Sequence, residues 1–128
     1  MVNAITNDID VTVESNYIES QSKPEMDFFL FSYKIKISNQ GNEAVQLISR
    51  YWNIFDSINE KHIVEGEGVV GFKPLIEPGQ FFEYESFCQL KSDGGTMKGY
   101  YTLLKVSDNS YFKAVIPDFI LMPEYRFN

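Results

Sequence analysis

Apolar residues recur at every second position along most of this chain, and that rhythm restricts what the chain can fold into. Ile9, Val11 and Val13 alternate with Asp8, Asp10, Thr12 and Glu14, the pattern of a strand with one dry face and one wet face. Phe29, Phe31, Tyr33, Ile35 and Ile37 alternate in the same way with Ser32, Lys34, Lys36 and Ser38, and predict a long central strand. Further strands are predicted from about Ala44 to Phe55, His62 to Glu65, Phe81 to Leu90, Gly99 to Val106 and Tyr111 to Phe119. Turn signals separate them. Asn39-Gln40-Gly41-Asn42 has the composition of a hairpin connection, and Glu19 to Glu25 reads as a surface loop. No helical stripe competes, and 11 Phe with 8 Tyr suit a half-buried sheet. A length of 128 residues sets a single domain, 1–128, able to bury roughly two thirds of the surface of its unfolded chain. About seven strands with one Trp early in the third predict an all-β, two-sheet sandwich of antiparallel strands, with Trp52 in its core. Arg50 shares the parity of Ile48, Trp52 and Ile54, so it either projects at an edge or finds a partner across the sheet.

Charge and composition remove whole classes of function. A net charge of −7 with no cluster of Lys and Arg argues against a hold on the phosphate backbone of nucleic acid. The apolar runs are a handful of residues, far short of the roughly 20 that a membrane-spanning helix requires. Met1-Val2-Asn3-Ala4-Ile5 lacks the charged start and apolar core of a signal peptide. A cytoplasmic location is expected, in keeping with the single Cys88, since a secreted domain of this size more often carries paired cysteines. That cysteine is expected to pack as a small hydrophobe.

Gly66-Glu67-Gly68-Val69-Val70-Gly71 spells G-x-G-x-x-G. A dinucleotide fingerprint requires a helix opening on the last glycine. Here Pro74 and Pro78 follow and forbid one. Two readings of the block stay open. In the first, its amides form an anion-binding concavity for a phosphate compound such as a nucleotide or pyrophosphate, with Arg50 or Lys73 as charge partner and Mg²⁺ offsetting Glu65 and Glu67. In the second, Gly66, Gly68 and Gly71 permit positive φ, a bulge or the close approach of a neighbour. The second is the simpler, because two carboxylates beside a phosphate repel it.

Ile76-Glu77-Pro78-Gly79-Gln80-Phe81-Phe82 resembles the turn that joins sheets in fibronectin type III domains, with Phe82 where the corner tyrosine stands and Tyr84 nearby. Five ordered blocks carry a wider resemblance. They are Gln46-Leu47-Ile48-Ser49-Arg50-Tyr51-Trp52, Val64 through Gly71, Pro74-Leu75-Ile76-Glu77-Pro78-Gly79, Gly95-Thr96-Met97-Lys98-Gly99-Tyr100-Tyr101 and Ile116-Pro117-Asp118-Phe119. Together they are similar to the ApaG family of small bacterial proteins over nearly the whole chain. The resemblance implies an immunoglobulin-like, fibronectin type III-like sandwich. It also brings a name linked to cobalt and magnesium efflux or resistance, the use of a related domain beside F-box segments as an interaction module, and no family-wide catalytic mechanism.

Tested against the residues, a direct cobalt site lacks ligands, since one His62 and one Cys88 cannot supply it. Asp8, Asp10, Glu65 and Glu67 suit magnesium by type, but solvated strand faces account for them more simply. No metal and no cofactor are expected. Nothing in the spacing pairs His62, Cys88 and an acid for nucleophilic catalysis, so a non-catalytic binding domain with a protein partner is expected. Arg50, Tyr51 and Trp52, with Tyr100 and Tyr101, are residue types found at interface hot spots when exposed and in cores when buried. A homodimer is a further option, because a sandwich has edge strands to shield. The aromatic tail Leu121 to Asn128 closes a sheet edge or lies on a neighbour.

Overall fold

The computed structural model describes residues 1–126 and is a sandwich of two antiparallel sheets. Nine strands follow in order: β1 (Val2–Thr6), β2 (Ile9–Tyr17), β3 (Phe29–Asn39), β4 (Val45–Asp56), β5 (Glu60–Glu67), β6 (Leu75–Ile76), β7 (Phe81–Leu90), β8 (Gly95–Lys105) and β9 (Ser110–Leu121). One sheet has the order β1-β2-β3-β7 and the other β5-β4-β8-β9, with β6 added to β4. All seven strands anticipated from alternation are present. β1 and β6 are additional, and single 3-10 turns at Glu19–Gln21 and Pro24–Met26 shape the surface loop.

The alternation places the core between the sheets. Ile9, Val11 and Val13 on β2 and Phe29, Phe31, Tyr33, Ile35 and Ile37 on β3 are all buried, facing Trp52, Tyr101, Leu103, Ile116 and Phe119 of the opposite sheet. Trp52 is the centre of this packing. Its ring meets Tyr33 at 5.4 Å, Phe119 at 5.9 Å and Tyr101 at 6.5 Å, in edge-on arrangements that the aromatic quadrupole favours.

Two expectations are corrected. Asn39-Gln40-Gly41-Asn42 is not a hairpin turn, because β3 and β4 belong to different sheets. The turn residues bend the chain equally well in either case. The destination is fixed by Asn39, whose buried side-chain amide donates to the Glu43 carbonyl at 2.8 Å and the Ile76 carbonyl at 3.0 Å. Ile48 does not share the inward face with Trp52. A bulge between Leu47 and Ser49 shifts the parity, so Val45 and Leu47 point inward before it and Trp52 and Ile54 after it. In the Pro78-Gly79 region Phe82 carries no hydroxyl, and the nearby Tyr84 supplies one. The segment does pass from β6 in one sheet to β7 in the other, with Gly79 at φ +80°. The hydroxyl that matters is that of Tyr84, which bonds the hydroxyl of Tyr101 and so ties the two sheets together through the core.

The segment after β9 turns back on its own domain. The Tyr125 ring packs edge-on against Tyr17 at 6.3 Å, and Arg126 pairs with Asp93. Phe127 and Asn128 lie outside the described residues.

Candidate functional site

The two outer faces of the sandwich differ in chemistry. On the four-stranded sheet, register sets Lys34 between Glu14 and Glu85, and Lys36 between Thr12 and Glu83. Opposite charges across neighbouring strands attract one another weakly in water, and Phe81 and Phe87 stand more than half exposed on the same face, with the Lys36 ammonium 4.3 Å from the Phe81 ring centre. On the five-stranded sheet the outward positions are instead rich in aromatic and aliphatic groups. Tyr51 of β4 and Tyr100 of β8 face each other in register, with rings stacked at 5.0 Å and 11°, and the Lys113 ammonium from β9 lies 4.5 Å from the Tyr100 ring centre. Farther along the same face, Asn53, Phe55, Lys61, Lys98, Asp118 and Ile120 line a shallow groove of about 510 Å³. Ile63, Tyr111, Val115 and Ile120 are each about half exposed or more. A continuous surface of aromatic rings, aliphatic side chains and three lysines on an acidic chain has the composition of a recognition face.

The glycine block lies beside this face and is built into the sheet. The Gly68 amide donates to the Ile48 carbonyl at 2.8 Å, and Val69 and Phe72 exchange two bonds of 2.8 Å across a two-residue turn at Val70-Gly71. Both turn residues have positive φ, +42° and +86°, the geometry of the tight hairpin whose twist matches the flanking strands. Arg50 finds its partner here. Its guanidinium Nη1 donates to the carbonyls of Glu67 at 3.0 Å and Gly68 at 2.9 Å, and it reaches them by crossing directly over Gly66. A Cβ on Gly66 would sit 3.1 Å from Nη1, so the glycine makes room for the arginine. Lys73 meets Glu67 at 3.4 Å, a solvent-exposed pair of small energetic weight. The structure thus brings Gly66, Gly68 and Arg50 together and leaves Gly71 at a turn tip with no neighbour within 4 Å of its would-be side chain. The amides of Gly68, Val69 and Phe72 and Nη1 of Arg50 are engaged within the protein, so an anion there would compete with bonds already made.

Among the described residues, no three His, Cys, Asp or Glu side chains converge as metal ligands. No helix among them is long and apolar enough to cross a membrane. Cys88 and His62 do border one groove of about 410 Å³, between the edges of β5 and β7, together with Asp56. They do not act as a unit. The His62 ring pairs with Glu60 at 3.5 Å, and the buried Asp56 carboxylate accepts from the Lys91 amide at 2.6 Å and from the Ser92 hydroxyl. Burial, with a smaller contribution from Asp56, pushes the Cys88 thiol up to about 11, which keeps it neutral and a poor nucleophile. In the folded protein at pH 8, Cys88 should react with a maleimide at least about tenfold more slowly than in guanidinium, read by mass shift over time.

The outward parity of Tyr51, Asn53 and Phe55 is visible once Trp52 and Ile54 are assigned to the core. Their grouping with Lys98, Lys113, Asp118 and Ile120 depends on strand order and was missed, since no local pattern carries it.

Strand order, interlocked aromatics and the connection through Pro78-Gly79 define a fibronectin type III-like β-sandwich. The comparisons with known proteins are narrower. The ApaG domain family model matches residues 19–105. Protein ApaG of Anaeromyxobacter dehalogenans is 45% identical over 122 residues, spanning 95% of each chain, and Protein ApaG of Brucella canis is 42% identical over 127 residues, spanning 98% of this chain and 97% of that one. A crystal structure of an ApaA protein from Bordetella pertussis superposes with a TM-score of 0.88 at 38% identity, over 91% of this chain and 94% of that one. The chain belongs to the ApaG family.

Proposed function

We propose that this protein is a non-catalytic binding module that recognises another protein through the outer face of its five-stranded sheet. The observation that supports this reading most is the Tyr51–Tyr100 stack with Lys113 above it, half-exposed beside a groove lined by Phe55 and Ile120, whereas the opposite face sets Lys34 between Glu14 and Glu85. Stacked tyrosines give large contact area at low cost in side-chain entropy, and their hydroxyls remain free to bond a partner. Any part in cobalt or magnesium resistance would run through that partner.

Photo-crosslinkers placed at Tyr51 or Tyr100 are expected to capture a partner that crosslinkers at Lys36 or Glu83 do not. Tyr51→Ala with Tyr100→Ala should weaken binding of that partner by about 30-fold or more, on the scale of an interface hot spot, measured below the unfolding transition of the variant, since losing the stacked pair also costs about 1 kcal/mol or more of stability. Background capture from both faces would count against the proposal. Saturable heat on titration with ATP or pyrophosphate and Mg²⁺, lost on Arg50→Lys, would move the site to the glycine block.

A further inference from the structure

The edges of the two sheets are not treated alike. At one side of the sandwich the β9 edge is covered by the first two strands: the Val115 amide donates to Thr6 Oγ1 at 3.1 Å, and Ser15 Oγ donates to the Ile120 carbonyl at 3.2 Å. At the other side β5 and β7 both end their sheets without a further strand among the described residues. β5 is exposed along nearly its whole length, including Ile63 and Val64. An uncovered row of amides and carbonyls is a template for another strand.

The hydrogen-bond phase of β5 is fixed by its neighbour. Gly68, just beyond the strand, donates to the Ile48 carbonyl of the bulge, and the register pairs Glu67 with Ser49 and Gly66 with Arg50. Bonding groups alternate sides along an antiparallel strand. The even-numbered residues therefore bond β4, and Lys61, Ile63 and Glu65 direct their amides and carbonyls outward, while the Glu67 carbonyl is taken by Arg50.

We infer that a second copy of this chain is the strand that pairs there, antiparallel and centred on Ile63. In that register Ile63 faces Ile63 of the partner subunit, while Lys61 of each copy faces Glu65 of the other. The residues with free backbone groups are the ones paired, and both ion pairs have opposite sign. Shifting the register sets Ile63 against Glu65, Glu65 against Glu65 or Lys61 against Lys61, each less favourable. The β7 edge lacks this property: it carries Glu83 and Glu85 with no cation, so self-pairing there sets acids against acids or against aromatic rings. Pairing through β5 joins two five-stranded sheets into one and places both copies of the Tyr51–Tyr100 stack on a common surface. The inference uses the edge alone and holds whether or not that face binds a partner.

Sedimentation velocity of the full chain, run from about 1 μM to several hundred μM, should show a concentration-dependent monomer–dimer equilibrium, since a single strand pair buries little area. Lys61→Glu is expected to weaken it at least about tenfold by setting like charges across both symmetric pairs. The charge swap Lys61→Glu with Glu65→Lys should restore the wild-type dissociation constant. Lys23→Glu, which alters net charge equally on an exposed loop, should leave it nearly unchanged. Circular dichroism of each variant verifies folding. A chain that stays monomeric throughout, a dissociation constant indifferent to Lys61→Glu, or a swap that fails to restore it overturns the inference.

Discussion

Gly99→Ala is expected to cost about 3 kcal/mol or more, the upper range for overpacking a core, and to lower the thermal midpoint by roughly 10 °C or more. Gly99 lies on β8 opposite Trp52 of β4, next to the irregularity where β8 meets β9 between Met97 and Gly99. An alanine methyl there would fall far inside van der Waals contact with the Tyr51 carbonyl oxygen and 3.2 Å from the Trp52 Cα. All the atoms it meets belong to backbone, so no rotamer change relieves the overlap. β4 would have to move away from β8 at the residue whose ring occupies the centre of the core, and that displacement would reach the Tyr51–Tyr100 stack on the outer face. Two other glycines calibrate the effect. Gly79→Ala meets nothing within 4 Å but sits at φ +80°, so it should cost only backbone strain, about 1 kcal/mol. Gly94→Ala has ordinary contacts at 3.6 Å and 3.8 Å and should be nearly neutral. Urea denaturation of the three variants gives the order, and a Gly99→Ala protein as stable as Gly94→Ala would mean that β4 and β8 do not approach this closely.

The same strands show what the sequence could and could not convey. β2, β3 and β7 were legible because uninterrupted alternation and one buried face leave a single register in which every apolar side chain is inside. β7 runs from Phe81 to Leu90 as anticipated. β1 was missed because an exposed edge strand has a weak pattern, although Asn7-Asp8, at φ +46° and +65°, is a two-residue turn of the hairpin type that could have revealed it. β6 is two residues long and carries no periodicity at all. The bulge at Ile48 and the passage of Asn39–Asn42 between sheets are decided by packing on both layers at once, which a local pattern does not contain. The glycine block illustrates the limit for sites. Its turn at Val70-Gly71 follows from local chemistry, whereas the role of Gly66 depends on lying opposite Arg50 across β4 and β5, a fact of register. The aromatic outer face of the five-stranded sheet is a property of four strands together, so only Tyr51, Asn53 and Phe55 could be assigned to it in advance.

Raising the pH through the tyrosine range should unfold this protein more steeply than its surface charge accounts for. Tyr84 and Tyr101 are buried and joined hydroxyl to hydroxyl, and burial, the largest influence on each, raises both phenols above their ordinary value of 10.0. In the unfolded chain both ionise near pH 10, while in the folded protein both remain neutral well beyond it. Below pH 10 the two states bind the same protons, and this contribution to stability is fully present. Above pH 10 the unfolded state sheds protons that the folded state keeps, so stability falls by about 1.4 kcal/mol per pH unit for each tyrosine, or nearly 3 kcal/mol for the pair. Against a total of roughly 5–15 kcal/mol for a domain of this kind, two pH units remove a large share. The Tyr84→Phe/Tyr101→Phe double variant isolates the buried pair: it keeps both rings and removes both hydroxyls together, a change that is nearly neutral at pH 7 because no unpaired group is left behind. Urea titrations at pH 8, 10 and 11 should give a flatter alkaline limb for the double variant than for the wild type. Equal limbs would mean that these phenols ionise inside the fold, which would require water to reach the contact between Tyr84 and Tyr101 that joins the two sheets.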